Sequence, residues 1–448
     1  MERREFLKTM AALGIFGAAG SFLGCDTRKG AVSAAADTAS AAGKGKLVSR
    51  AKSVIEVWIW GGPSQLETFD PKPDAPEAYN GGHKAIPTNV PGISISEYFP
   101  LLAQHADKYS LIRTMTHPYN GHETATYLMQ TGRVPGGGKV YPAIGAVIAM
   151  FKSKEYKGDL PPYVILTVPK GRFSEVGFLS EEFKPLVTGG RPNSARFVVD
   201  GIVPPGNVTP EQLKHRFELL DKLDNFGRAV DPASPVIADF DRAGKDARHI
   251  IEGDAAKVFD LSLETREMRE RYGLTDLGQS FLVARRLVEA GVPYITINAQ
   301  GWDSHKRHFE TMKTKAAEMD RATTAIITDL SEKGLLDSTL IWWTGEFGRG
   351  PKVDVNPPWN GGRNHYAKCF SAMVAGGGFQ GGKVVGVSDE TASNVVSRPV
   401  APQDLLGSIY ELCGIDPDGP LPNPINLKTT ILPPESAAGR LREIYRKM

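Results

Sequence analysis

Apolar residues along this chain fall into two alternating patterns, short unbroken runs and longer stretches with helical spacing. Residues 53–60 (SVIEVWIW) form the first unbroken run, and Gly61-Gly62-Pro63 ends it, which predicts a buried strand opening into a loop. Residues 109–115 predict a second strand, followed by a polar loop and a helix over about 122–131. Residues 143–151 predict a helix and 163–168 a strand. The middle, about 209–290, is different in character. Pro210 opens a helix over 211–226, charged helix-favouring sequence runs on through Arg271, and 277–290 is strongly periodic up to Gly291. Then 293–299 (PYITINA) predicts a β-branched strand, 316–333 an amphipathic helix with Gly334 as its C-cap, and 338–344 and 370–375 two further buried strands. The last good helix spans 402–413.

Strands and helices alternate around unbroken apolar strands. That is the pattern of a mostly parallel sheet with helices on both faces, since a strand buried on both sides carries no polar alternation. The helical middle, about 205–290, reads as an insertion on a domain spanning 51–430, with 431–448 as a C-terminal tail. No internal repeat is visible.

The first residues do not belong to that core. Met1-Glu-Arg-Arg-Glu-Phe-Leu-Lys8 places an Arg3-Arg4 pair ahead of Phe6 and Leu7. A Gly/Ala-rich apolar stretch follows, too short to span a membrane. This is the pattern read by the twin-arginine export machinery, so 1–24 reads as a signal sequence and the protein as exported. Two endings fit. Phe22-Leu23-Gly24-Cys25 resembles a lipobox, which would make a lipid-anchored protein at Cys25. Cleavage after Ala34-Ala35-Ala36 would instead release a periplasmic or secreted one. Residues 25–50 have little to bury and read as a linker. Net charge over 448 residues is +2 with no basic run, which argues against nucleic acid as a partner. Beyond Cys25 only Cys369 and Cys413 remain, two separate buried thiols rather than a disulfide framework.

Chemistry gathers just after the strand ends, where open α/β sheets build their sites. The first such loop holds Glu67 and Asp70, and the second His117, Asn120, His122 and Glu123. The loop after 293–299 holds Asp303, His305 and His308. Glu346 and Arg349 follow 338–344, and Asn364 and His365 lie further on. Carboxylate and imidazole together suit zinc, manganese or iron, whereas calcium takes oxygen alone. Each residue has a plainer reading. Asp303 could cap a helix, Asp70 could serve a turn, Glu123 could cap the helix at 122, and His308 could be solvated. The conjunction of Asp303, His305, Glu346 and His365 is harder to dismiss.

The stretches GGPSQLETFDPKP, NGHETATYLMQTGR, GWDSHKRHF, TGEFGR and GGRNHY, in this order, resemble the marks of the domain of unknown function 1501 family of exported bacterial proteins, over about 45–430. That family in turn resembles the alkaline phosphatase and sulfatase superfamily. The resemblance implies an alkaline phosphatase-like three-layer α/β/α sandwich and an exported metal-dependent hydrolase. It would act on the sulfate or phosphate ester of a small molecule or glycan, with zinc or manganese as the divalent metal. Asp303, His305 and His365 fit one metal. Glu346 takes an acidic ligand's place in Thr344-Gly345-Glu346-Phe347-Gly348 and, with Glu67, leans toward a second. Counting back from Thr131-Gly132-Arg133 puts the superfamily's nucleophile at His122. His122, Asn120 and Arg349 form the expected catalytic set, with Arg349 or Arg133 neutralising the substrate anion. There are two departures. The first strand has no acid at its immediate end, and a histidine replaces the Ser, Thr or Cys that such chemistry uses. They open an alternative, a non-catalytic metal- or glycan-binding protein. They also suggest His122 as a replacement ligand, making up for a histidine lost at Phe347.

Overall fold

In the computed structural model the apolar runs lie side by side as one eight-stranded sheet. The structure describes residues 47–447, apart from 170, 172–173, 196, 200–201, 203–207, 231–247, 249–250, 252–253 and 434–438. The twin-arginine pair, Cys25 and most of the linker lie outside the described residues. In chain order the strands are β1 (Ser53–Ile59), β2 (Tyr109–Met115), β3 (Tyr163–Leu166), β4 (Leu186–Val187), β5 (Tyr294–Ala299), β6 (Thr339–Thr344), β7 (Phe370–Ala375) and β8 (Lys383–Val385). Their order across the sheet is β8-β2-β7-β6-β1-β5-β3-β4. Every strand but β7 runs the same way.

β1 lies near the middle, and its alternation shows how the layers form. Ile55, Val57 and Ile59 point into one core, while Val54 and Trp58 point into the other. The first core is closed by α5 (Asp276–Glu289) and α6 (His308–Glu332), through Phe281, Leu287, Met319 and Ile326. The second is closed by α2 (Ile144–Lys152) and α7 (Pro402–Leu412), through Val147, Ile148, Leu405 and Ile409. This is the expected three-layer α/β/α sandwich. Between β2 and α2 lies α1 (His122–Thr131), and the middle holds α3 (Pro210–Val230) and α4 (Arg266–Tyr272).

Two boundaries differ from the sequence reading. The helix expected from 316 begins at His308, because the buried His308 and Met312 carry its inward face back into a charged stretch. The expected helical insertion ends before 276: α5 is a layer helix packed under the sheet. The edge strands β4 and β8 escaped the pattern, being only two and three residues long. Cys369 and Cys413 are buried free thiols.

Candidate metal centre

The loops leaving β1, β2, β5 and β6 emerge at one edge of the sheet, and the chain entering the antiparallel β7 starts from that edge too. Gly61 brings the first loop against the third. Its φ is +109°, and a Cβ there would lie 2.4 Å from Asp303 N, so no side chain fits. A two-residue antiparallel ribbon pairs Arg349 with His365, carrying that histidine to the same place.

Asp303 is the hub. Its Oδ1 lies 3.1 Å from His305 Nε2, 3.2 Å from His365 Nε2 and 2.5 Å from Arg349 Nη2, and its Oδ2 lies 3.3 Å from His122 Nε2. Burial opposes its charge, but bonds from His122, His365 and Arg349 hold the carboxyl well below the usual range. His122, Asp303 and His365 each offer one ligand atom within 4.8 Å of the others.

The hydrogen bonds also fix which nitrogens point inward. His365 Nδ1 donates to the Asn120 carbonyl at 2.8 Å, and His305 Nδ1 donates to Asn364 Oδ1 at 3.1 Å. Both Nε2 atoms therefore turn inward, facing one another at 2.9 Å and Asp303 Oδ1 at 3.1 and 3.2 Å. Two imidazole nitrogens and a carboxylate oxygen converge, three groups that repel one another wherever no proton lies between them. A divalent cation at their centre would relieve this, and ligands about 2.0–2.2 Å from such an ion sit roughly 3.3 Å apart. The outward Nδ1–H bonds are the second-shell contacts that hold metal-ligating histidines in place. The donor set fits the metal that the family resemblance implies.

His122 bridges two carboxylates. Nδ1 lies 2.6 Å from Glu346 Oε1, and Nε2 faces Asp303. Burial disfavours its charge, but the bonds to Asp303 and Glu346 outweigh this and push its pKa up to about 9. The added proton supplies positive charge between two acids, where a cation would otherwise do so. Trp60 stacks on the imidazole at 4.5 Å, and Phe347 packs against both His122 and His365. Buried Glu346 also takes the Gly61 N–H at 2.9 Å, so it holds the first loop as well as His122. His117 supports Glu346 from behind, donating Nε2–H to its carbonyl at 2.7 Å. Burial pulls the His117 pKa down to about 4, so this ring stays neutral.

Other expected residues serve the framework. Asn120, expected to be catalytic, spends Oδ1 on the Ala367 N–H and its carbonyl on His365. Arg349 is fully buried, and its guanidinium donates to the carbonyls of Gly61, Gly62 and Arg363 as well as to Asp303. It neutralises Asp303 and spends four of its five N–H donors within the protein. Arg133 bonds Thr429 and Thr430 and stacks over Tyr141.

Glu67 does not join the cluster. Its Oε1 takes Arg363 Nη2 at 2.7 Å and its Oε2 takes His308 Nε2 at 2.9 Å, while His308 Nδ1 meets Ser304 Oγ at 2.6 Å. His308, expected to be solvated, is fully buried, as are Glu67 and Arg363. Asp70 is no surface turn residue either: it is buried and pairs with Lys72 at 3.0 Å. Asp303 caps no helix, since Arg307 holds the N-cap of α6. Gly121 holds that of α1, with Glu123 in its first turn. Sequence reasoning missed Gly61, Trp60 and Arg363. The Gly-Gly break after β1 was the available signal for Gly61.

The chain belongs to the family described as "Protein of unknown function (DUF1501)", which it matches over residues 51–432. No curated protein matches it. Solved structures similar to it include a protein in the alkaline phosphatase superfamily from Vibrio parahaemolyticus, at 10% identity and TM-score 0.35, covering 82% of this chain and 67% of that one. A sulfatase from a Pseudoalteromonas species is 14% identical at TM-score 0.34, covering 82% and 68%. A phosphonate monoester hydrolase from Silicibacter pomeroyi is 11% identical at TM-score 0.35, covering 88% and 76%.

Proposed function

We propose that this protein is an exported, metal-dependent hydrolase of a sulfate or phosphate ester. The observation that carries the reading is the convergence of His305 Nε2, His365 Nε2 and Asp303 Oδ1, with the two nitrogens 2.9 Å apart. Asp303, His305 and His365 would hold one divalent metal, zinc or manganese by their mixed nitrogen and oxygen donors. His122 would add Nε2, with Glu346 fixing its other nitrogen. Bound there, a metal supplies Lewis acidity toward an ester oxygen and lowers the pKa of water. Arg349 keeps Asp303 ionised, Asn120 and Asn364 keep the histidine tautomers, and Trp60 and Phe347 flank His122 and shield it from water.

A second reading has its own observation. Among the described residues, the side chains touching Asp303 are three histidines and an arginine, with no Ser, Thr or Cys hydroxyl or thiol to attack. That favours either direct hydrolysis by water or a protein that binds metal without catalysis. Metal analysis followed by aryl sulfate and aryl phosphate substrates separates them. Turnover that disappears in His365→Ala supports the hydrolase. Stoichiometric metal without turnover of either ester leaves the binding protein. His122→Ala should lose about one metal equivalent with the fold intact, and unchanged metal content would remove His122 from the ligand set.

A further inference from the structure

A cavity opens at the same edge of the sheet. It holds about 490 Å³ and is lined at the ends of β3 and β5 by Thr167, Asn298 and Gln300, with Asn193, Lys315 and Glu318 around it. Three features set it apart from surface relief. Asn298 is more than nine-tenths buried, and its Nδ2 is spent on the Val168 carbonyl, which fixes the amide orientation. Its Oδ1 is then a buried acceptor with no hydrogen-bond partner in the protein, a state that is costly unless water or a ligand donates to it. Lys315 has no ion-pair partner among the described residues. A Cβ on Gly301 would lie 3.2 Å from its Nζ, so this ammonium sits beside the backbone that leads directly into Asp303. The nearby Arg191, by contrast, is already paired with Asp276 at 2.9 Å.

We propose that this cavity is a subsite for a hydroxyl-rich, anionic organic group, such as a sugar ring carrying an acid. Amide and hydroxyl side chains match ring hydroxyls, the orphaned Asn298 oxygen takes one of their protons, and Lys315 meets the acid. The inference rests on the hydrolase reading in one respect: with the ester's acid group at a metal held by Asp303, its alcohol part would lie here.

The test uses the full chain and D-glucuronate as probe, with binding followed by calorimetry or ligand-observed NMR. Wild type should bind glucuronate, and bind D-glucose at least about tenfold more weakly, the loss of one charge-assisted contact. Lys315→Met should weaken glucuronate by a similar factor, and Asn298→Ala should weaken both sugars. His365→Ala should leave glucuronate binding as it is. Failure of wild type to bind, indifference of binding to Lys315→Met, or its loss in His365→Ala would each overturn the subsite, the last by placing the probe at the metal cluster. Turnover plays no part in this readout. A chain that hydrolyses no ester yet binds glucuronate through Lys315 keeps the subsite and defeats only the hydrolase. One that hydrolyses aryl esters and ignores glucuronate does the reverse.

Discussion

The Asp303 cluster and the Glu67 cluster are built from the same parts: a carboxylate, imidazole and an arginine. They even share a loop, since Asp303 and His305 face one and Ser304 and His308 the other. In the Glu67 cluster each carboxylate oxygen has its donor and both nitrogens of His308 are used, all of it out of water. Burial lowers the pKa of His308 and so favours its neutral ring. Against the opposing effect of burial, Arg363 and His308 draw the Glu67 carboxyl well below its usual range. In the Asp303 cluster two nitrogens are left facing one another, and His122 has to carry a proton between two acids. Residue type does not separate a structural rack from a metal centre. The accounting of lone pairs and protons does.

The comparison breaks most sharply at His365. His365→Ala should weaken metal binding by more than about 100-fold, a larger loss than second-shell changes give, as read by metal titration, while the unfolding midpoint of the metal-free protein barely moves. Retained affinity would mean the converging nitrogens are not ligands. In the other cluster, Glu67→Ala leaves Arg363 buried and unpaired. It should lower stability by about 3 kcal/mol in urea unfolding with metal content unchanged. Metal loss without destabilisation would return Glu67 to the ligand set.

A third carboxylate sharpens the contrast. Glu56 is as buried as Glu67 but has only Gln130, Tyr294 and Thr296 as partners, and burial raises its pKa to about 7. Its folded pKa thus exceeds the unfolded value, so its contribution to stability is complete below about pH 4.5 and is lost as pH rises through about 7. Glu56→Gln should flatten that slope, by about 2 kcal/mol between pH 5 and 8. An unchanged pH profile would show that burial does not govern this group. The smallest effect is reserved for Glu346→Gln, which keeps an oxygen for His122 and loses only charge. Metal affinity should fall about tenfold with stoichiometry preserved. Loss of a whole equivalent would make Glu346 a ligand in its own right.

The layers were legible in the sequence because burial on both faces leaves long apolar runs, and β2, β7 and α1 carry the bounds their patterns predict. The strand-end loops were legible too, and Asp303, His305 and His365 do meet. What the pattern could not carry was direction. A loop residue three positions along, His308, turns into the core because α6 starts there, and no periodicity marks that start. Glu67 looks like a ligand until Arg363, nearly three hundred residues away, is seen to claim it. Arg349 looked like an anion binder because nothing in a sequence reveals that carbonyls surround a guanidinium.

His122 and Glu346 are 224 residues apart along the chain, and Asn120 and His365 are 245 apart. An extended chain cannot present such a set, and forming it requires closing several long loops whose entropy must first be overcome. Capture of a metal ion would report that the strands on both sides of β1 have docked. The same ion, bound only by the closed form, would hold it closed by mass action, making metal supply a control on how long the folded chain survives proteolysis.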